Sequence, residues 1–174
     1  IPFDATVFLF VGKLDPIKQP LMLGRAFCEL EPSQNAHLVY IGSGLLEEQL
    51  KHQFQHHPRI HFAGFQNQSL LPIWYRVGNI LCLPSTTETW GLAVNEAVAC
   101  GCAAIVSDRV GCKEDMIQFQ SACFEFAHKS EQQLHALMKL LVNNPELISK
   151  RAIEETTHFF DLNKFHQALK KMLR

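Results

Sequence analysis

Two glutamates, Glu88 and Glu96, stand eight positions apart across the opening of a helical pattern, just after an apolar run that ends in Leu83-Pro84-Ser85. At a rise of ~1.5 Å per residue, a mostly helical segment between them predicts a separation of about 12 Å. Glycosidase carboxylates are closer, at ~5 Å in retaining enzymes and up to ~9.5 Å in inverting ones, so this pair suits the two ends of an extended ligand. Taken alone, glutamates near a helix start more often serve the helix dipole or a solvated face.

The helix opening carries chemistry of its own. Unpaired N–H groups at its first turn, backed by the positive end of the dipole, can hold a phosphate, and Gly91 lets the backbone approach closely. Lys13 and Lys18 lie in the loop after the first apolar run and could converge on the same anion, unless they are ordinary surface charges. No Asp-x-Asp pair is present to offer a divalent metal to a diphosphate, so no metal or other cofactor is expected. Lysine charge and the helix dipole would stabilise a leaving diphosphate instead.

The elements that must position these groups follow from periodicity. Residues 6–11 form a continuous apolar run closed by Gly12, and similar short runs recur at 37–41, 59–63, 79–83 and 103–107. Each reads as a strand buried on both faces. Helical spacing appears over 20–30, 45–54 and 91–100, with a short stretch after Pro72 that carries Trp74 and Tyr75 as core aromatics. After Phe126 the pattern turns helical, with Ser130 as an N-cap, Pro145 opening another helix and 162–173 forming a last one. Alternating strands and helices predict an α/β, Rossmann-like open parallel sheet with helices on both faces and a helical C-terminal segment. Ligands bind such sheets at the carboxyl ends of strands, where Glu88, Lys13 and Lys18 fall.

The chain has 174 residues, 47% hydrophobic and 19% charged, which suits one domain. A net charge of -1 provides no field for gathering nucleic acid, so none is expected as a partner. Six cysteines lack C-x-x-C spacing and read as reduced core residues of a cytoplasmic protein. Neither a membrane-length apolar run nor a signal-peptide pattern is present. The start at Ile1, close to a strand, gives the expectation that an N-terminal part is missing.

Taken in order, the motifs carry a resemblance. Phe10-Val11-Gly12-Lys13-Leu14-Asp15-Pro16-Ile17-Lys18, Val39-Tyr40-Ile41-Gly42-Ser43-Gly44 and Ile60-His61-Phe62-Ala63-Gly64-Phe65 precede the strongest part. That part runs from Leu83-Pro84-Ser85 through Glu88-Thr89-Trp90-Gly91-Leu92-Ala93-Val94-Asn95-Glu96-Ala97 to Gly101 and Val106-Ser107-Asp108. The chain resembles the C-terminal domain of the group 1 (family 4) retaining glycosyltransferases of GT-B architecture, whose Glu-x7-Glu motif it matches in register. The resemblance implies that residues 1–174 are the donor-binding half of a GT-B fold, with the N-terminal acceptor domain absent. It places Glu88 beside the transferred sugar, Glu96 on ribose hydroxyls, and Lys13 and Lys18 on the diphosphate. Gly12, Thr89, Trp90, Gly91 and Leu92 would complete the donor site, with Gly64, Phe65 and Gln66 near the nucleobase. The family commonly has arginine where Lys13 stands, so Lys13 keeps the charge and loses the bidentate fork.

Other signals are weaker. Gly42-Ser43-Gly44 begins a dinucleotide fingerprint, but Glu47 holds the third glycine's place, so a tight turn is the better reading. No P-loop is present. His52, His56, His57 and His61 lack the spacing of a zinc site and read as solvated or locally bonded. Asp108 and Asp115 flank Gly111 and could reach a ligand, but turn and cap duties explain them equally well, and neither is assigned a catalytic role. The expected function is therefore transfer of a sugar, with retention, from a nucleoside diphosphate donor to a glycan or lipid-linked acceptor. Peripheral association with the inner face of a membrane stays open for the full-length protein. The rival readings are a non-catalytic nucleotide-sugar-binding module and a nicotinamide-dependent oxidoreductase.

Overall fold

A computed structural model of the chain describes residues 1–114 and 123–148. Six strands, β1 (Thr6–Val11), β2 (Ala36–Ile41), β3 (Ile60–Gly64), β4 (Ile80–Leu83), β5 (Ala103–Ser107) and β6 (Cys123–Phe126), form one sheet in the order β3-β2-β1-β4-β5-β6. Every neighbouring pair is parallel. In β1, Phe8, Leu9 and Phe10 are all 0% exposed, although successive side chains leave opposite faces of a strand. Both faces are therefore covered, as continuous apolar runs require.

The cover comes from α1 (Pro20–Cys28), α2 (Glu47–Phe54), α3 (Leu71–Val77), α4 (Leu92–Ala99) and α5 (Glu131–Asn143). Helix α1 packs against α2 and α5, and α3 packs against α4. Arg25 reaches Glu131 at 2.8 Å across the α1–α5 contact. Ser130 caps α5 by accepting the Gln133 N–H at 3.3 Å, as the sequence predicts.

Several expectations need correction. Strand β6 is not anticipated, because Cys123-Phe124-Glu125-Phe126 is too short and too mixed to stand out. It exists because β5 offers it a free edge. Pro145 opens a single 3-10 turn, Pro145–Ile148. Asp115 and the helix expected over 162–173 lie outside the described residues.

Only Cys82, Cys102 and Cys112 are buried, whereas Cys28 is exposed and Cys100 and Cys123 are half-buried. Burial pushes the Cys123 thiol up to about 12 and that of Cys82 higher still, which leaves both as inert thiols at neutral pH. Of the clustered histidines, His52 and His56 are exposed, and His57 accepts the Arg59 N–H at 3.3 Å. His61 of β3 stacks on His37 of β2 with ring centroids 5.2 Å apart and ring nitrogens at 2.9 Å.

Candidate functional site

The strand order reverses between β1 and β4, because β1 is followed in sequence by its neighbour on one side and β4 by its neighbour on the other. Such a switch point leaves a crevice beyond the carboxyl ends of the two strands. A cleft of about 510 Å³ opens there, walled by the loop after β1, the loop after β4, α3 and the start of α4.

The loop after β4 is held from both sides. Thr86 N–H donates to the Ile17 carbonyl at 2.8 Å, which ties it to the Pro16–Lys18 turn. On the other side Glu88 N–H donates to the Arg109 carbonyl at 3.1 Å, Gly111 N–H to the Glu88 carbonyl at 3.0 Å, and Cys112 N–H to the Trp90 carbonyl at 2.8 Å. Glu88 and Val110 thus form a short parallel bridge beyond the main sheet. Gly111 sits so near that a Cβ there would meet the Thr89 carbonyl oxygen at 2.0 Å.

Helix α4 starts at Leu92, with Gly91 as its N-cap in left-handed conformation at φ 98°. Residues 88–91 are therefore loop, and the 12 Å estimate, which assumes helix throughout, does not apply as a helical rise. Gly91 is demanded twice: its φ disfavours a side chain, and a Cβ would press on Val110 at 2.9 Å. Leu92 and Ala93, the first two residues of α4, line the cleft, while the next N–H, that of Val94, donates to the Gly91 carbonyl at 2.8 Å.

Charged groups converge on this opening. Lys18 Nζ is ion-paired with Glu88 Oε2, their side chains 27% and 18% exposed. Lys13 is exposed and lines the same cleft, as do Gly12, Thr89, Trp90 and Glu96. Trp90 anchors its indole N–H on Asn95 Oδ1 at 3.1 Å, and the residue is 43% exposed at the rim. Nine of the residues expected around a donor thus share one cavity: Gly12, Lys13, Lys18, Glu88, Thr89, Trp90, Gly91, Leu92 and Glu96.

Phe65 and Gln66 lie in an adjoining cleft, also of about 510 Å³, over the ends of β1 and β2. The two clefts share Val11, Gly12, Lys13 and Leu71, so they form one elongated groove with Lys13 at the junction. Gly64 lines neither cleft, and its carbonyl accepts the Gly42 N–H at 2.8 Å.

Sequence reasoning assigns Tyr75 to the core and overlooks Leu71. Tyr75 is buried, but its hydroxyl donates to Glu96 Oε2 at 2.9 Å in the cleft wall. Leu71 and Tyr75 are four apart on one helix face, so a helix that brings one to the groove brings the other. Asp108 accepts from His128 at 2.9 Å and lies outside both clefts, which fits the turn role expected of it. Among the described residues no three His, Cys, Asp or Glu side chains gather to hold a metal ion. No described helix is long and apolar enough to cross a membrane.

Residues 1–158 match the model of the family described as glycosyl transferases group 1. Over 124 residues the chain is 39% identical to the D-inositol 3-phosphate glycosyltransferase 2 of Catenulispora acidiphila, covering 64% of this chain and 29% of that protein. The D-inositol 3-phosphate glycosyltransferase of Rhodococcus opacus is 28% identical over 174 residues, covering 94% and 39%. The chain thus spans well under half the length of these curated relatives.

Among solved structures, Alr3699/HepE of Anabaena, in complex with UDP, matches with a TM-score of 0.79 at 18% identity, covering 97% of this chain and 48% of that one. The C-terminal domain of the group 1 family protein LpcC from Francisella tularensis matches at 0.74 and 22% identity, covering 88% and 85%. At these identities the likeness is one of fold.

Proposed function

Because the chain belongs to the glycosyl transferases group 1 family, we propose that its groove binds a nucleoside diphosphate sugar and serves as the donor half of a retaining glycosyltransferase. The observation that carries the reading is the convergence of Lys18, Glu88, the α4 N-terminus and Glu96 on one cleft at the switch point. A diphosphate would take the cationic centre, where Lys18 and Lys13 line the cleft beside the first turn of α4 and the positive end of its dipole. The sugar would lie against Glu88, the ribose against Glu96, and the base in the adjoining cleft with Phe65 and Gln66.

Transfer separates the sugar from a diphosphate on which negative charge grows. Groups fixed in advance around that charge stabilise the transition state more than the ground state, and so raise the rate. The reading needs no metal, since the lysines and helix dipole supply positive potential. Glu88 orients the sugar, and no covalent bond to it is assigned. The acceptor, a glycan or lipid-linked saccharide, would be held by a second domain outside these residues, so this chain alone should bind but scarcely transfer. The relatives named as D-inositol 3-phosphate glycosyltransferases support sugar transfer, and a fold neighbour solved with UDP supports the donor class.

The test is turnover by the full-length protein with Glu88→Gln. This change keeps size and removes charge, and it should depress kcat by at least ~100-fold, in the range lost with a transition-state contact. Unchanged turnover would refute the role of Glu88. Donor binding without any turnover in the wild-type protein would point to a binding module.

A further inference from the structure

Tyr75 lies in the middle of α3, is 1% exposed, and is pinned at both ends. Its carbonyl accepts from the Cys102 thiol at 2.8 Å, and its hydroxyl donates to Glu96 Oε2 at 2.9 Å. Burial first, and then the charge and hydrogen bond of Glu96, push the phenol far above its ordinary value of 10. The hydroxyl therefore remains a donor throughout the neutral range. Glu96 itself is half-buried on α4 and lines the cleft.

We propose that Tyr75 is a positioning residue: its anchored hydroxyl holds one oxygen of Glu96 so that the other is presented to a ribose diol. An ionised carboxylate is an acceptor only, and vicinal hydroxyls are donors that need it at a set angle. A glutamate left to itself samples several rotamers and must be ordered by the ligand, at an entropic cost that weakens binding. The bond to Tyr75 removes that cost before the ligand arrives. The structural alternative is that the bond only ties α3 to α4.

The inference rests on the donor reading above, and the experiment separates the two. Tyr75→Phe keeps the ring in the core and deletes only the donor. Calorimetric titration would compare the wild-type protein and this variant with UDP, GDP and ADP and with their 2′-deoxy and 3′-deoxy analogues. The ribonucleotide that the wild-type protein binds should bind the variant about tenfold more weakly, and the penalty for losing a ribose hydroxyl should shrink by a similar factor. Equal discrimination in both proteins, even with weaker binding overall, would overturn the positioning role and leave the donor reading intact. Failure of the wild-type protein to bind any of these, or dTDP, would overturn both.

Discussion

Lys18 and Glu88, seventy positions apart in sequence, are ion-paired across the mouth of the cleft, the cation from the loop after β1 and the carboxylate from the loop after β4. Both side chains are largely buried yet keep contact with solvent, and the desolvation of the two ions offsets much of their mutual attraction. A diphosphate carries more negative charge than one carboxylate, so it can draw Lys18 away at little cost. The pair keeps the lysine at the site before a ligand binds.

Lys18→Ala should therefore weaken nucleoside diphosphate binding by about tenfold or more, the worth of a charge-assisted hydrogen bond. Lys13→Ala should cost less, because Lys13 is exposed and has no carboxylate partner among the described residues. Calorimetric titration of both variants checks the order. A larger loss from Lys13→Ala would reverse the roles assigned to the two cations.

Gly111→Ala should damage the site more than the fold. The added Cβ would meet the Thr89 carbonyl oxygen at 2.0 Å, so the 109–112 segment must move away from the Glu88 loop it clamps. Both segments lie outside the main sheet, which limits the loss of global stability to about 1–2 kcal/mol. Donor affinity should fall clearly. Denaturant unfolding alongside donor titration measures both, and wild-type affinity in the variant would show that the clamp does not position Glu88.

The positions of Glu88, Glu96, Lys13 and Lys18 were legible because each follows a buried strand, and a parallel sheet gathers strand ends on one edge. The Tyr75–Glu96 contact was not, since a buried tyrosine in a short helix has the same pattern whether its hydroxyl ends in the core or in a cleft. Strand β6 escaped for a related reason. Its residues are partly exposed and its pairing partner, β5, lies some 20 residues earlier, so nothing local specifies it. The start of α4 at Leu92 depended on the left-handed conformation of Gly91, which sequence suggests but cannot place to the residue.

Acid should destabilise the fold through the histidines before it reaches the carboxylates. Burial lowers the pKa values of His37, His57 and His61, and in His37 the neighbouring His61 adds to the effect. A base with a depressed folded pKa binds fewer protons folded than unfolded, so its contribution is intact above the unfolded value near 6.5 and is lost as pH falls below it. Melting temperature should fall between about pH 7.5 and pH 5.5, and His61→Gln should flatten that slope. A Tm independent of pH across this window, or an unchanged slope in the variant, would contradict the assignment.

The central claim is tested most directly by titrating UDP, GDP, dTDP and ADP sugars against the protein and against Glu96→Ala. One donor class should bind with a 1:1 stoichiometry, and the substitution should weaken that binding by about tenfold or more, since it removes a charged acceptor from the ribose. Binding to none of the four, or equal affinity in the variant, would contradict the donor site described for this groove.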